Sequence, residues 1–138
     1  MLIAASGNDS NRPSLPKPVS SPANAVSIMA VAALDESIKI ARFSNGGINA
    51  SNGGRVDIAA PGTKVFSSSS KNAGNGELYK SMSGTSMATP HVAGLAALYW
   101  EAFPHLSAEG IWLKLEKQAK HLSDQLLRDV GQGLAQTL

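Results

Sequence analysis

The sequence has no cysteine among its 138 residues. That absence excludes disulfide staples, thiol nucleophiles and thiolate-bound metal, and leaves the compartment open. Charge is sparse too, at 16% of residues with a formal net charge of +2, and aromatics make up only 5%. No basic run interleaves with aromatic residues, so nucleic-acid binding has no support. Apolar runs of membrane length are missing: Val92 to Trp100 is short and is followed by Glu101, so no membrane span is expected. Met1 to Ser6 is apolar but has no basic lead and reaches Gly7-Asn8-Asp9 too soon for a signal-peptide core, so it reads as a buried strand. The localisation stays undetermined. Lys114, Lys117 and Lys120 recur on one predicted helix and read as a solvated face.

What is present is a 43% hydrophobic composition, enough for the core of one ordinary domain. The most informative run is Gly84-Thr85-Ser86-Met87-Ala88-Thr89-Pro90-His91-Val92-Ala93-Gly94. Gly84 permits a tight turn, and Ser86 falls at the start of an Ala-rich apolar helix. A hydroxyl there sees unpaired backbone N–H groups and the positive end of the helix dipole, so negative charge developing beside it is stabilised. Pro90 cannot bond the carbonyl of Ser86, which predicts an irregular first turn.

This run resembles the nucleophile motif of the subtilisin-like serine proteases almost letter for letter. The resemblance extends to Ala4-Ala5-Ser6-Gly7-Asn8-Asp9, similar to that family's oxyanion-hole strand and turn, and to Ser21-Pro22-Ala23-Asn24 leading into Val26 to Leu34. Arg42-Phe43-Ser44, Asp57 to Gly62 and Gly131-Gln132-Gly133-Leu134 then follow in the family's order. The resemblance implies that Ser86 is the acylated serine, that the Asn8 side-chain amide donates to the oxyanion, and that Ala5, Ser6 and Gly7 form one wall of the primary specificity pocket. It implies a peptide or protein substrate, and no cofactor or metal is assigned to these residues.

By the same resemblance the triad Asp and His precede Ser86 in the sequence. No Asp-Thr/Ser-Gly turn and no His-Gly-Thr run occurs before Ser86, and the three histidines, His91, His105 and His121, all follow it. His91 is five residues on, about 140° around a helix, so its ring is expected to point away from the hydroxyl. It reads as structural, and His105 and His121 read as surface residues. The expectation is therefore that residues 1–138 are the C-terminal segment of a subtilisin-like catalytic domain, inactive in isolation. Its partners would be the missing N-terminal part or a second copy. Met1 reads as the start of a shortened reading frame or recombinant piece rather than of a proteolytic fragment.

The fold expected is α/β, the C-terminal portion of a three-layer subtilisin-like architecture with a parallel sheet, a hairpin and a central helix beginning at the nucleophile. Three apolar runs, Met1 to Ser6, Ser27 to Leu34 and Val56 to Ala60, predict strands covered by helices on both sides. Pro13, Pro16 and Pro18 make Ser10 to Ser21 a surface loop. Ser44-Asn45-Gly46-Gly47 and its near copy Ser51-Asn52-Gly53-Gly54 read as turn chemistry. Lys64 to Ser68 and Leu78 to Ser81 predict a hairpin flanking a polar segment, Ser69 to Glu77. Ser86 to Ala102 is the central helix, ended by Pro104. Ser107 is the N-cap of a second helix with Ile111, Leu115 and Ala119 on one face and Trp112 in the core. A last helical segment is expected over Gly131 to Leu138.

Three functional classes follow. The first is a serine endopeptidase segment that takes its base from elsewhere. The second is a non-catalytic peptide-binding or pseudoprotease module. The third is a hydrolase with Ser86 on a Gly-x-Ser-x-Gly elbow. Gly84 to Ala88 misses that pattern, and no histidine follows Asp124 or Asp129 as it requires. The intact Ser86 and Asn8 favour the first class.

Overall fold

In a computed structural model the chain is described for residues 1–48, 53–70 and 78–137. The three apolar runs form strands β1 (Leu2–Ala5), β2 (Ile28–Leu34) and β3 (Ile58–Pro61), all parallel and in the order β1-β2-β3. Ala4 stands beside Ala30, and Val31 beside Ile58. Successive side chains of a strand point to opposite faces, and β2 uses both. Met29, Val31 and Ala33 enter one cluster with Val92, Tyr99, Ile111 and Leu115. Ala30, Ala32 and Leu34 enter another with Val19, Ala23, Val56, Leu122 and Val130.

The two faces are covered differently. Helices α1 (Thr85–Ala102) and α2 (Ala108–Gln118) supply the first cluster. The second is closed by the Val19–Ala23 loop and the segment that carries the one-turn helix α3 (Leu127–Val130), where a full helical layer was expected. The prolines of the 10–21 loop bar a helix there. The final segment also departs from expectation. It leaves the helical path at Gly131, whose φ is 58°, and runs beside β3: the Ala59 N–H donates to the Gly133 carbonyl at 2.9 Å and the Ala135 N–H to the Ala59 carbonyl at 2.8 Å. The open edge of β3 gives this stretch more backbone partners than a frayed helix end would. Leu138 lies outside the described residues.

Strands β4 (Val65–Ser68) and β5 (Tyr79–Met82) form the expected antiparallel hairpin, with Phe66 stacked on Tyr79 at 5.7 Å between ring centroids. Of its polar segment, residues 71–77 lie outside the described set, as do Ser51 and Asn52 of the near-duplicated turn. Both ends of the hairpin are tied together, because the Gly84 N–H donates to the Gly62 carbonyl at 2.8 Å and the Gly62 N–H to that of Leu34 at 2.9 Å. This tie delivers the chain to α1 at the edge of the sheet.

Helix α1 continues unbroken through Pro90. The ring sits just after the first turn and removes a single ladder bond, without the irregularity expected. Ser107 caps α2 as predicted, accepting from the Gly110 N–H at 3.1 Å. Ile111 and Leu115 are buried and Trp112 packs against the same core, while Ala119 is the C-cap. Lys114 is not simply solvated: its Nζ stands 3.9 Å from the Phe103 ring centroid, an attraction of cation and ring quadrupole.

Candidate active site

Helix α1 buries Thr85, Ala88, Val92, Ala96 and Tyr99. Steps of three and four residues put these on one stripe. Ser86 is one residue beyond the first of them, about 100° around the axis, and is exposed. Packing of the stripe against the sheet is what turns this hydroxyl outward.

The start of α1 has no local side-chain cap. Gly84 is extended, at φ 160° and ψ 158°, and the partner comes from a turn far away in sequence. Asn8 Oδ1 accepts from the Thr85 N–H at 2.8 Å and from the Thr85 hydroxyl at 2.9 Å. The hydroxyl in turn accepts from the Gly7 N–H at 3.2 Å. With Oδ1 engaged by two donors, the Asn8 amide has one orientation, and its Nδ2 faces the other way. A Cβ placed on Gly84 would stand 3.4 Å from that nitrogen, at contact distance, so the two groups are close neighbours.

The turn holding Asn8 follows β1. Ser6 is fully buried, and its hydroxyl donates to the Asn45 carbonyl at 3.3 Å. Its side chain therefore faces the interior. Ala5 and Gly7 are half-buried. Asn45, 0% exposed, uses its whole amide in this turn: Oδ1 accepts from the Asp9 N–H and the Ser10 hydroxyl at 3.0 Å each, while Nδ2 donates to Asp9 Oδ2 at 3.0 Å and Ser20 Oγ at 3.1 Å. Its own N–H donates to the Gly7 carbonyl at 3.0 Å.

Gly7 has φ 110°, and a Cβ there would overlap Asn45 Nδ2 and Ser20 Oγ. Gly7→Ala is accordingly expected to cost about 1–3 kcal/mol, through left-handed backbone strain and overpacking together. Urea unfolding checks this as a lowered midpoint with an unchanged slope.

A cavity of about 420 Å³ lies beside Ser86, between α1 and the hairpin, lined by Val65, Phe66, Ser67, Ser68, Lys80, Met82, Met87, Pro90 and His91. Ala5, Ser6 and Gly7 do not line it. The His91 ring is tied back to its own helix, Nδ1–H donating to the Met87 carbonyl at 2.8 Å. His105 lies past the far end of α1, about 27 Å along an 18-residue helix at 1.5 Å per residue. His121 lies beyond the end of α2, and all three rings are exposed. Among the described residues no group of three or more His, Cys, Asp or Glu is placed to hold a metal ion, and no helix is long and apolar enough to cross a membrane.

The charged groups with most burial belong to the scaffold. Burial pushes the Asp57 carboxyl up, opposed by the Ala30 N–H, which donates at 2.7 Å, and by Arg55. Arg55 also reaches Glu116 at 3.1 Å, linking the segment that leads into β3 to α2. Arg12 pairs with Asp129 through both guanidinium NH groups at 2.8 Å and donates from Nε to the Ser44 carbonyl at 2.8 Å.

Sequence reasoning did not single out Thr85 or Asn45. Thr85 carried a usable signal, being a polar residue at the head of an otherwise apolar stripe. Asn45 carried none, since its near copy at Ser51-Asn52-Gly53-Gly54 made both look like turn residues.

The model of the Subtilase family matches residues 1–133. Subtilisin DY of Bacillus licheniformis is 37% identical over 134 residues, covering 97% of this chain and 44% of that protein. The cuticle-degrading serine protease of Arthrobotrys oligospora is 44% identical over 101 residues, covering 73% of this chain and 22% of that protein. Among solved structures, S41 psychrophilic protease superposes with a TM-score of 0.81 at 33% identity, over 99% of this chain and 48% of that one. Sphericase does so at 0.79 and 30%, over 99% and 47%. The chain thus spans less than half the length of these relatives.

Proposed function

This chain belongs to the subtilase family of serine proteases, and from that premise we propose that it supplies the nucleophile and the oxyanion hole for peptide-bond hydrolysis. Ser86 attacks the scissile carbonyl, and its proton passes to a histidine carried outside these residues. The tetrahedral oxyanion accepts from Asn8 Nδ2 and from the Ser86 N–H, which lies in the first helical turn where no carbonyl four residues back is available. Thr85 is a positioning residue, holding Oδ1 so that Nδ2 stays free to donate. The Ala5-Ser6-Gly7 segment offers a wall to the substrate through half-buried Ala5 and Gly7, with Ser6 buried behind them. A peptide or protein is the substrate class.

The observation that carries this reading is the Asn8 amide, whose Oδ1 is bound to Thr85 at 2.8 and 2.9 Å next to an outward-facing Ser86. In a form of the protein that includes the base, Asn8→Ala is expected to lower kcat by about 10² to 10³ with little change in KM. The amide meets charge only in the transition state, so ground-state binding is spared. The magnitude is subtilisin's own, taken over by family membership. Steady-state kinetics decide it: an unchanged kcat removes Asn8 from the site, whereas no turnover at all in that form leaves a non-catalytic peptide-binding module as the better reading.

A further inference from the structure

We propose that Asn45 is a positioning residue for the Asn8 amide, a role that rests on the oxyanion reading above. The argument is geometric. Asn8 is joined to its neighbours by two rigid peptide units, and Asn45 holds both. Its N–H donates to the Gly7 carbonyl, the acceptor of the first unit, at 3.0 Å. Its Oδ1 accepts from the Asp9 N–H, the donor of the second, at 3.0 Å. Fixing both units fixes φ and ψ of Asn8, and with them the direction of its Cα–Cβ bond. The Asp9 carboxylate and the Ser20 hydroxyl, both bound by Asn45 Nδ2, prevent the Asn45 amide from rotating out of that role.

Burial makes the arrangement strong. Asn45 is 0% exposed, and all of its side-chain hydrogen-bonding capacity is matched, so no rearrangement of the turn leaves it satisfied. Thr85 orients the end of the Asn8 side chain, whereas Asn45 sets where that side chain begins. The two act at opposite ends of one lever.

The test has two arms. In the form that includes the base, Asn45→Ala is expected to lower kcat about 10- to 100-fold at unchanged KM, the cost of a misplacement near 1 Å. The double variant Asn8→Ala/Asn45→Ala should be no slower than Asn8→Ala alone, since the second change acts only through Asn8. Additive losses, or an unchanged kcat in Asn45→Ala beside a lowered one in Asn8→Ala, overturn the proposal.

The second arm does not depend on catalysis. Hydrogen exchange of the Thr85 amide reports the bond to Asn8 Oδ1 directly, with the Ala96 amide in the same helix as the reference for global opening. Asn8→Ala and Asn45→Ala should both accelerate exchange at Thr85 by at least 10-fold and leave Ala96 unchanged. Where Asn45→Ala unfolds the protein, Asn45→Asp keeps size and the Oδ1 acceptor but sets a carboxylate against Asp9, and the same local loss is expected. Protection of Thr85 retained in these variants, or absent from the parent protein, overturns the role of Asn45. A kcat indifferent to Asn8→Ala instead overturns the oxyanion reading, and leaves the exchange result to decide the positioning.

Discussion

Purified as a 138-residue polypeptide and mixed with a fluorophosphonate probe, the chain is expected to leave Ser86 unlabelled and a chromogenic peptide uncut. A serine hydroxyl is a weak nucleophile near neutral pH and needs an adjacent base. The nearest histidine in sequence, His91, has its Nδ1 committed to the Met87 carbonyl at 2.8 Å, and His105 and His121 stand beyond the ends of α1 and α2. Loss of the base or the nucleophile in subtilisin costs on the order of 10⁶ in kcat, and that family magnitude is expected here. Adding a segment that carries the family's histidine should restore labelling, and Ser86→Ala should abolish it again. Rapid labelling of the chain alone, lost in Ser86→Ala, would mean that one of these histidines reaches the hydroxyl after all.

The same polypeptide is expected to self-associate, capture a complementary segment, or stay partly molten. Among the described residues strand β1 pairs only with β2, and there its other edge presents unpaired N–H and C=O groups, a template for another strand. Leu2 on that strand is 64% exposed and Leu98 on the adjoining helix 50%. The hairpin adds Phe66, Tyr79 and Met82 to the wetted apolar surface, and a two-stranded ribbon gains little stability by itself. At ~25 cal/mol per Å², several hundred Å² of apolar surface left wet forfeits on the order of 10 kcal/mol, comparable to the whole stability of a domain. Light scattering and hydrophobic-dye binding measure the outcome. A monodisperse monomer that melts cooperatively without binding dye would show that these residues close a core of their own.

Much of the architecture was readable along the chain because it rests on local patterns. Short runs apolar on both faces marked β1, β2 and β3, and the Ala-rich apolar run that Pro104 ends marked α1. Ser107 capped α2 by the same local chemistry. Where neighbours in sequence are not neighbours in space, the reading failed. The segment after Gly131 looked helical by itself, yet it pairs with Ala59 because the edge of β3 is there to receive it. The 10–21 loop and α3 close a face expected to be helical. The Ser6 hydroxyl is bound by the Asn45 carbonyl, a partner that no local pattern indicates. Sequence alone therefore carried the resemblance to the family's nucleophile motif, the expectation for Asn8 and the order that puts all three histidines after Ser86, since each is a matter of residue type and order. Only the tertiary structure decided how the Asn8 amide faces, through Thr85 and Asn45, 77 and 37 positions away by residue number, because hydrogen bonds form between groups close in space, and no local pattern encodes that distance.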